Sequence, residues 1–224
     1  MGLKTFRNQP HHSATREDGT ISDPDCLWQA DREVWKNDQP ATAFLAEKLP
    51  IVSVPASDVV SATTDGRRIY VNPYWSASLD GATRRFTQAH LIWHCVAGHF
   101  CPPIVQDSHR WHLACDHEVN VLLLMLGFVL PPQTVLFPAC IGKSLHAVYA
   151  WLADYPLLEE ESSLDTPPWQ ATGIGHDEDE TTALAAASLS QHWQRQACEV
   201  VHSYLDTPYL RPLMASWMTN RWSE

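Results

Sequence analysis

Residues 83–100 read TRRFTQAHLIWHCVAGHF, and this stretch decides the fold class of the chain. Apolar residues occupy every side of the stretch when it is wound as an α-helix, which is typical of a helix buried in a protein core. Gly98 lies where such a helix would end, because glycine readily adopts the left-handed conformation of a helix C-terminus. We therefore predict a buried helix over residues 84–99.

Two histidines, His90 and His94, lie one turn apart within this predicted helix. That spacing places both imidazoles on one face, which is how a single helix contributes two ligands to a zinc ion. Buried imidazoles need partners, because an unpaired buried polar group is costly. The two rings therefore either bind a metal ion or form hydrogen bonds with backbone carbonyl groups.

The second long apolar stretch, residues 109–126, predicts another buried helix, which carries Asp116 and Asn120 on one face at a spacing of four residues. A carboxylate inside such a helix indicates either a salt bridge or a third metal ligand. His99 is an alternative third ligand, although a histidine at a helix C-terminus also complements the helix dipole. Glu118 lies half a turn away from Asp116, so the two carboxylates do not readily serve one ion.

The residues before the first of these helices predict a small sheet. Residues 51–60 are rich in valine and contain Pro55, which is typical of an edge strand. Residues 67–72 predict a second strand, and the turn sequence TDG at 64–66 lies between the two. We expect the two strands to form a hairpin that packs on the helix carrying His90, since both elements need cover. The predicted fold class is α+β and mainly helical.

The length of 224 residues and the composition favour one compact core with extensions. The polar start of the chain predicts disorder, and an acidic stretch with proline and glycine after the core predicts a linker. The predicted parts are a disordered segment 1–22, a core domain 23–156, an acidic linker 157–180, and C-terminal helices 181–224 that pack on the core or on a partner.

Charge and composition narrow the function classes and the location. The net charge of −11 argues against broad nucleic-acid binding, which needs a positive surface facing the phosphates. The start has no apolar run typical of a signal peptide, and no apolar run approaches the ~20 residues of a membrane span. Six cysteines without a CxxC pair favour reduced thiols over disulfides or a zinc ribbon. We therefore expect a cytoplasmic protein without a membrane segment.

Several motifs in a fixed order give a more specific signal than the histidine spacing. They are TDG at 64–66, NP at 72–73, HLIWHCVAGH at 90–99, WHLACDHEVN at 111–120 and the exit GFVLPP at 127–132. Together they resemble the metallopeptidase domain often found before von Willebrand factor A-like domains, whose pattern is HExxHxxxGH followed by WxxAxDxxxN. The resemblance covers about residues 40–155. It implies a zincin-like fold with zinc bound by His90 and His94, with Asp116 as the third ligand and Asn120 supporting the ligands.

The sequence departs from that pattern at one position. Leu91 stands where the family has the glutamate that follows the first histidine and acts as the general base toward water. A leucine neither takes a proton nor forms a hydrogen bond with water, and general base catalysis is typically worth ~10²–10⁴ in rate. Glu118 and His117 are the candidates for a substitute base. The resemblance thus predicts a metallopeptidase fold without its usual base.

Three functions remain open at this point. The chain is a pseudoenzyme that binds zinc and a peptide or protein partner, a zinc-dependent hydrolase that uses another base, or a scaffold without metal. Leu91 favours the first. Relatives in the family lie beside MoxR-type AAA ATPases and von Willebrand factor A-like proteins, so the resemblance implies work within an assembly of such proteins. The apolar, tryptophan-containing segment 209–222 is either a contact surface or a terminal helix that docks on its own domain.

Overall fold

The computed structural model describes residues 24–100, 104–155, 163–171 and 181–222. The predicted disordered segment 1–22 lies outside the described residues, and of the predicted linker 157–180 only residues 163–171 are described. Within the described residues the chain is mainly helical with one small sheet, which confirms the predicted α+β class.

The long helices follow the predicted order with small shifts of their boundaries. The helices are α1 (Pro24–Asp38), α2 (Pro40–Ala46), α3 (Pro73–Ser78), α4 (Gly81–Ala97), α5 (Ser108–Met125), α6 (Leu145–Asp154), α7 (Thr181–Tyr204) and α8 (Pro212–Arg221). The strands are β1 (Ile51–Ser53), β2 (Ala62–Thr64) and β3 (Ile69–Val71). The short helix α3 begins where the Asn72 side chain accepts hydrogen bonds from the N–H groups of Tyr74 and Trp75. Among the described residues, no helix combines the length and the apolar character that crossing a bilayer requires.

The sheet differs from the predicted hairpin. β2 pairs antiparallel with β3 around the turn at Gly66, whose φ is 79°, whereas β1 pairs parallel with β3 at the opposite edge. The predicted strand 51–60 ends early because Pro55 offers no N–H for pairing, and the chain turns there, with Asp58 N donating to Pro55 O. The antiparallel partner of β3 is therefore β2, which the sequence analysis placed outside the strands.

α4 is the central element of the fold. The Asp80 side chain accepts a hydrogen bond from Thr83 N at 2.7 Å and caps its N-terminus, and Gly98 ends the helix with a φ of 77°. Every residue from 86 to 97 is buried, as the apolar pattern predicted. The other elements that contact α4 are α1, α2, α5, α7, α8 and β2.

α5 lies beside α4, as predicted, and it carries the second half of the candidate site. It begins at Ser108, but Asp107 caps it, since the Asp107 side chain accepts a hydrogen bond from Arg110 N at 3.0 Å. α6 also packs against α5, through a second apolar cluster that includes Leu113 and Leu152. Because α5 is held between α4 and α6, the direction of its side chains toward α4 is fixed.

The C-terminal helices α7 and α8 pack on the same core. Trp193 of α7 is fully buried, and its Nε1 donates to Gly66 O at 2.8 Å. Met218 of α8 is buried, and Arg221 Nε donates to Ala97 O at 2.8 Å. The arginine thereby satisfies one of the carbonyl groups that the end of α4 leaves without an intrahelical partner.

We predict that Gly98→Ala destabilises the protein more than Gly127→Ala. Both glycines have a positive φ, 77° and 87°, where an alanine costs ~1–2 kcal/mol. A Cβ at Gly98 would also lie 3.2 Å from the Trp222 ring, whereas a Cβ at Gly127 would meet nothing within 4 Å. Urea unfolding in the presence of a chelator should show a loss about 1 kcal/mol larger for Gly98→Ala. Equal losses would mean that Trp222 does not pack over the end of α4.

Candidate metal centre

Two helices bring the polar side chains of the site together. α4 carries His90 and His94 one turn apart, and α5 carries His112, Asp116 and Asn120 at successive intervals of four residues. Residues four apart share a helix face, so each helix presents one polar stripe within an otherwise apolar surface. The two stripes meet where α4 packs on α5.

Ring nitrogens and carboxylate oxygens from the stripes converge on one point. His90 Nε2 and His94 Nε2 are 2.8 Å apart. Asp116 Oδ1 lies 3.3 Å from His94 Nε2 and 3.6 Å from His90 Nε2. One ligand atom each from His90, His94, Asp116 and Asp165 lies within 4.8 Å of the others, and all four residues are buried. The fold thus brings together the three residues that the sequence analysis proposed as ligands, and it adds Asp165.

Asn120 fixes which nitrogen of His90 faces this cluster. Asn120 Nδ2 donates to Val135 O at 2.8 Å, so the amide oxygen is the atom that lies 2.8 Å from His90 Nδ1. An amide oxygen only accepts, and His90 Nδ1 must therefore donate. A neutral imidazole that donates from Nδ1 carries a lone pair on Nε2, and the Nε2 lone pair of His90 points into the cluster.

A chain of hydrogen bonds fixes His94 in the same way. Glu118 Oε2 lies 3.0 Å from His99 Nε2, which must donate because a carboxylate only accepts. Burial lowers the pKa of His99 and keeps that ring neutral, so its Nδ1 accepts a hydrogen bond from His94 Nδ1 at 3.1 Å. His94 Nε2 is left with its lone pair, again directed into the cluster. Trp217 Nε1 of α8 donates to Glu118 Oε1 at 3.3 Å, which fixes the Glu118 carboxylate at the outer end of this series of hydrogen bonds.

The consequence is that two imidazole lone pairs face each other at 2.8 Å. Two acceptors at this distance repel each other unless a cation, either a proton or a metal ion, lies between them. Asp116 Oδ1 and His112 Nε2 are also buried, and they lie 3.3 Å apart as an ion pair without hydrogen-bond geometry. One divalent ion at this point would satisfy both lone pairs and Asp116 Oδ1 together, and the residues therefore fit a metal ion.

The pKa values in the cluster agree with a site that attracts positive charge. Burial disfavours the charged form of His90, yet the neighbouring carboxylates of Asp116 and Asp165 raise its pKa to about 10. Burial and the neighbouring charge of His90 lower the pKa of His94 to about 4. Burial also opposes the ionised form of Asp116, but the neighbouring His112 holds the pKa of that carboxyl well below its usual range. A proton on His90 therefore competes with a metal ion for the same place.

The alternative residues proposed from the sequence lie outside this cluster. Both ring nitrogens of His99 are engaged, one with His94 and one with Glu118, so His99 supports a ligand and does not take the place of one. Glu118, the candidate substitute base, is separated from the two Nε2 atoms by the rings of His99 and His94. Leu91 is fully buried in the main apolar cluster.

Two residues at the site escaped the sequence analysis. His112 stands four residues before Asp116, and its Nε2 lies 3.3 Å from Asp116 Oδ1. The stripe of His112, Asp116 and Asn120 at intervals of four was a signal that could have revealed it. Asp165 comes from the segment 163–171, which has no helical or strand period and which the sequence assigns to a linker, so only the tertiary fold brings it to the site.

We predict that Glu118→Gln weakens zinc binding by about 10–100-fold while the fold is retained. His99 Nε2 donates to one oxygen of Glu118 and Trp217 Nε1 donates to the other. Glutamine places an NH2 donor at one of these two positions, so the proton positions on His99 and His94 are no longer fixed. Isothermal titration calorimetry measures the affinity, and Glu199→Gln on the exposed side of α7 is the matched control. An affinity equal to that of the parent would contradict the supporting role of the hydrogen bonds that link Glu118, His99 and His94.

Comparison with known families agrees with this geometry. The model of the family described as "Putative metallopeptidase domain" matches residues 26–197, a range that includes both helices of the candidate metal centre. Searches of curated proteins and of solved structures found no match. Because the matched range is well over half of the chain, the protein belongs to this metallopeptidase domain family.

Proposed function

We propose that the protein binds one zinc ion through His90, His94 and Asp116, as a metallopeptidase-like protein that has lost peptide cleavage. The observation that carries the metal is the pair of opposed imidazole nitrogens, 2.8 Å apart. Because the Nδ1 atom of each ring donates to an outer acceptor, only an added proton or a metal ion satisfies the two Nε2 lone pairs. A scaffold without metal would need a proton between the rings, and Asp116 Oδ1 would then have ion pairs with histidine rings but no hydrogen bond.

The donor set favours zinc among the common divalent ions. Zinc accepts imidazole nitrogen together with carboxylate oxygen, whereas calcium and magnesium prefer sites made of oxygen alone. When bound, zinc supplies Lewis-acid chemistry, which polarises a carbonyl group or lowers the pKa of water. The chain's own contribution is to hold the two rings in one tautomer and to keep bulk water away from the ligands, which are all buried.

The loss of cleavage is proposed because each base that the sequence offered is unsuited to the task. Leu91, at the position of the family's glutamate, lies in the main apolar cluster. Burial alone would raise the pKa of Glu118, but the hydrogen bond from His99 lowers it to about 2, which makes a weak base at neutral pH. His117 Nδ1 already accepts a hydrogen bond from Phe137 N at 3.1 Å.

We further propose that the protein works within an assembly, with a MoxR-type AAA ATPase and a von Willebrand factor A-like protein as partners. The support is the family resemblance, since relatives of this domain lie beside such proteins. α8 adds a physical reason, because Leu213 is 67% exposed while Met214 and Met218 on the same helix are buried. An apolar side chain on the outside of a docked helix suits contact with another protein.

Metal content and cleavage test the first proposal together. We expect one zinc ion per chain in protein purified without added zinc, and loss of that zinc in His94→Ala. Zinc affinity should rise by about tenfold per pH unit up to pH ~10, because the proton on His90 must leave before the metal binds. Zinc-loaded protein incubated with a peptide library should show no chelator-sensitive cleavage.

The control for the metal measurement is His202→Ala, which removes an exposed histidine of α7 and should leave the zinc content unchanged. Absence of zinc affinity in the parent would favour the scaffold without metal. Cleavage that a chelator stops would make the pseudoenzyme proposal wrong. If Glu118→Gln, assayed at saturating zinc, leaves that cleavage intact, the hydrolase uses a base other than Glu118.

Leu213→Glu should leave the fold and the zinc content unchanged and should weaken partner binding by at least about tenfold, since a charge replaces an apolar contact. Size-exclusion chromatography with the purified ATPase and the von Willebrand factor A-like protein of the same organism measures binding. Leu124→Glu, at a 49% exposed leucine of α5, is the matched control. If Leu213→Glu binds like the parent, α8 is not the contact surface, and if the parent binds neither protein, the assembly proposal fails.

A further inference from the structure

A second carboxylate, Asp165, lies at the metal centre. Asp165 Oδ1 is 3.7 Å from His90 Nε2 and 3.0 Å from His112 Nε2. Asp165 is only 8% exposed, and Asp116 is 1% exposed. The centre therefore holds two carboxylates that are both shielded from water.

The distances from the carboxylate oxygens to the ring nitrogens are close to those between ligands around one ion, whereas the two ring nitrogens lie closer together, at 2.8 Å. In a tetrahedral zinc site with bonds of about 2.1 Å, neighbouring ligand atoms lie about 3.4 Å apart. The contacts of Asp116 Oδ1 with His94 Nε2 and His90 Nε2 measure 3.3 and 3.6 Å, and that of Asp165 Oδ1 with His90 Nε2 measures 3.7 Å. A carboxylate that acts as a base lies one water molecule further from the ion, because it must reach a proton of that water. Asp165 Oδ1 is thus at the distance of a ligand.

The charge of the cluster leads to the same assignment. Among the residues that the structure describes, the ion pairs of Asp116 and Asp165 are all with histidine rings. Two carboxylates in a buried site repel each other and need positive charge nearby. One divalent ion balances the charges of both carboxylates when the two histidine ligands are neutral, and the His112 ring adjoins the same two carboxylates.

The chain holds Asp165 in place through contacts on both sides of it. Thr166 N donates to Ala62 O at 2.8 Å, which adds a hydrogen bond to the edge strand β2, and the hydroxyl oxygens of Thr166 and Ser61 lie 3.0 Å apart. On the other side, Leu164 packs against the main apolar cluster. These contacts do not involve a metal, so the fold itself positions the Asp165 carboxylate at the centre.

We propose that Asp165 is a fourth protein ligand, which closes the coordination shell and makes the centre a structural site of two histidines and two aspartates. This inference rests on the proposed zinc site. Catalytic zinc sites keep one position open for water or substrate, whereas structural sites have four protein ligands. The closed shell gives the loss of cleavage a second cause, independent of Leu91, so that Leu91→Glu alone does not create a peptidase.

Cobalt(II) in place of zinc tests this assignment, because its visible absorption changes when an added anion such as azide reaches an open coordination position. We expect azide to leave the spectrum of the cobalt-loaded parent unchanged and to alter that of cobalt-loaded Asp165→Ala. The cobalt affinity of Asp165→Ala should fall by more than about 100-fold, since loss of a ligand exceeds loss of a supporting contact. Gln170→Ala, at an exposed position in the same segment, is the matched control and should behave like the parent.

The outcomes separate failure of this inference from failure of the zinc site. An azide response of the parent equal to that of Asp165→Ala would overturn the closed shell and leave the zinc site standing. If the parent binds no cobalt, the zinc site itself is wrong. Asp165→Asn keeps the shape of the side chain and replaces Asp165→Ala if that variant does not fold. A folded Asp165→Asn with parental affinity and no azide response would also overturn the assignment.

Discussion

The arrangement of the site depends on one constraint. The outer ring nitrogens (Nδ1) of His90 and His94 each form a hydrogen bond that fixes the orientation of the ring. Asn120 accepts from Nδ1 of His90, and His99, itself oriented by Glu118, accepts from Nδ1 of His94. Both Nε2 lone pairs are thereby directed inward, and only a cation relieves their repulsion. The affinity of the centre for a cation is therefore set by hydrogen bonds that lie outside it.

That constraint also gives the C-terminal helices a part in the site. Trp217 of α8 donates to Glu118, and Arg221 of the same helix donates to Ala97 O at the end of α4. The hydrogen-bonded chain from Trp217 through Glu118 and His99 to His94 thus begins on a helix that the sequence analysis separated from the core domain. Removing α8 would disturb the orientation of a candidate ligand as well as expose apolar surface.

The sequence specifies the helices of the site far better than it specifies their surroundings. The buried face of α4 and the i,i+4 placement of His90 and His94 follow directly from helical periodicity, and so does Asp116 on α5. The pairing of β1 with β3 does not follow, because short valine-rich segments carry no information about which edge of a sheet they join.

Asp165 illustrates the harder case. It reaches the cluster because Thr166 bonds to the edge of β2, and no local pattern in a segment of serine, aspartate and proline encodes that contact. His112 is different, since its spacing from Asp116 is visible in the sequence and was overlooked. Local periodicity therefore finds ligands that share a helix, and it fails for a ligand delivered by an irregular segment.

The identities of residues 91 and 165 together determine how many carboxylates lie near the proposed metal ion. A divalent ion balances the charges of Asp116 and Asp165, and a glutamate in place of Leu91 would add a third carboxylate next to His90. The buried centre would then hold three carboxylates against one divalent ion and the His112 ring, and a buried carboxylate without a partner is costly. Leu91 instead lies among apolar side chains and requires no partner. The proposed coordination by both aspartates thus favours an apolar residue where a peptidase needs its base, and it offers one reason for the leucine at position 91.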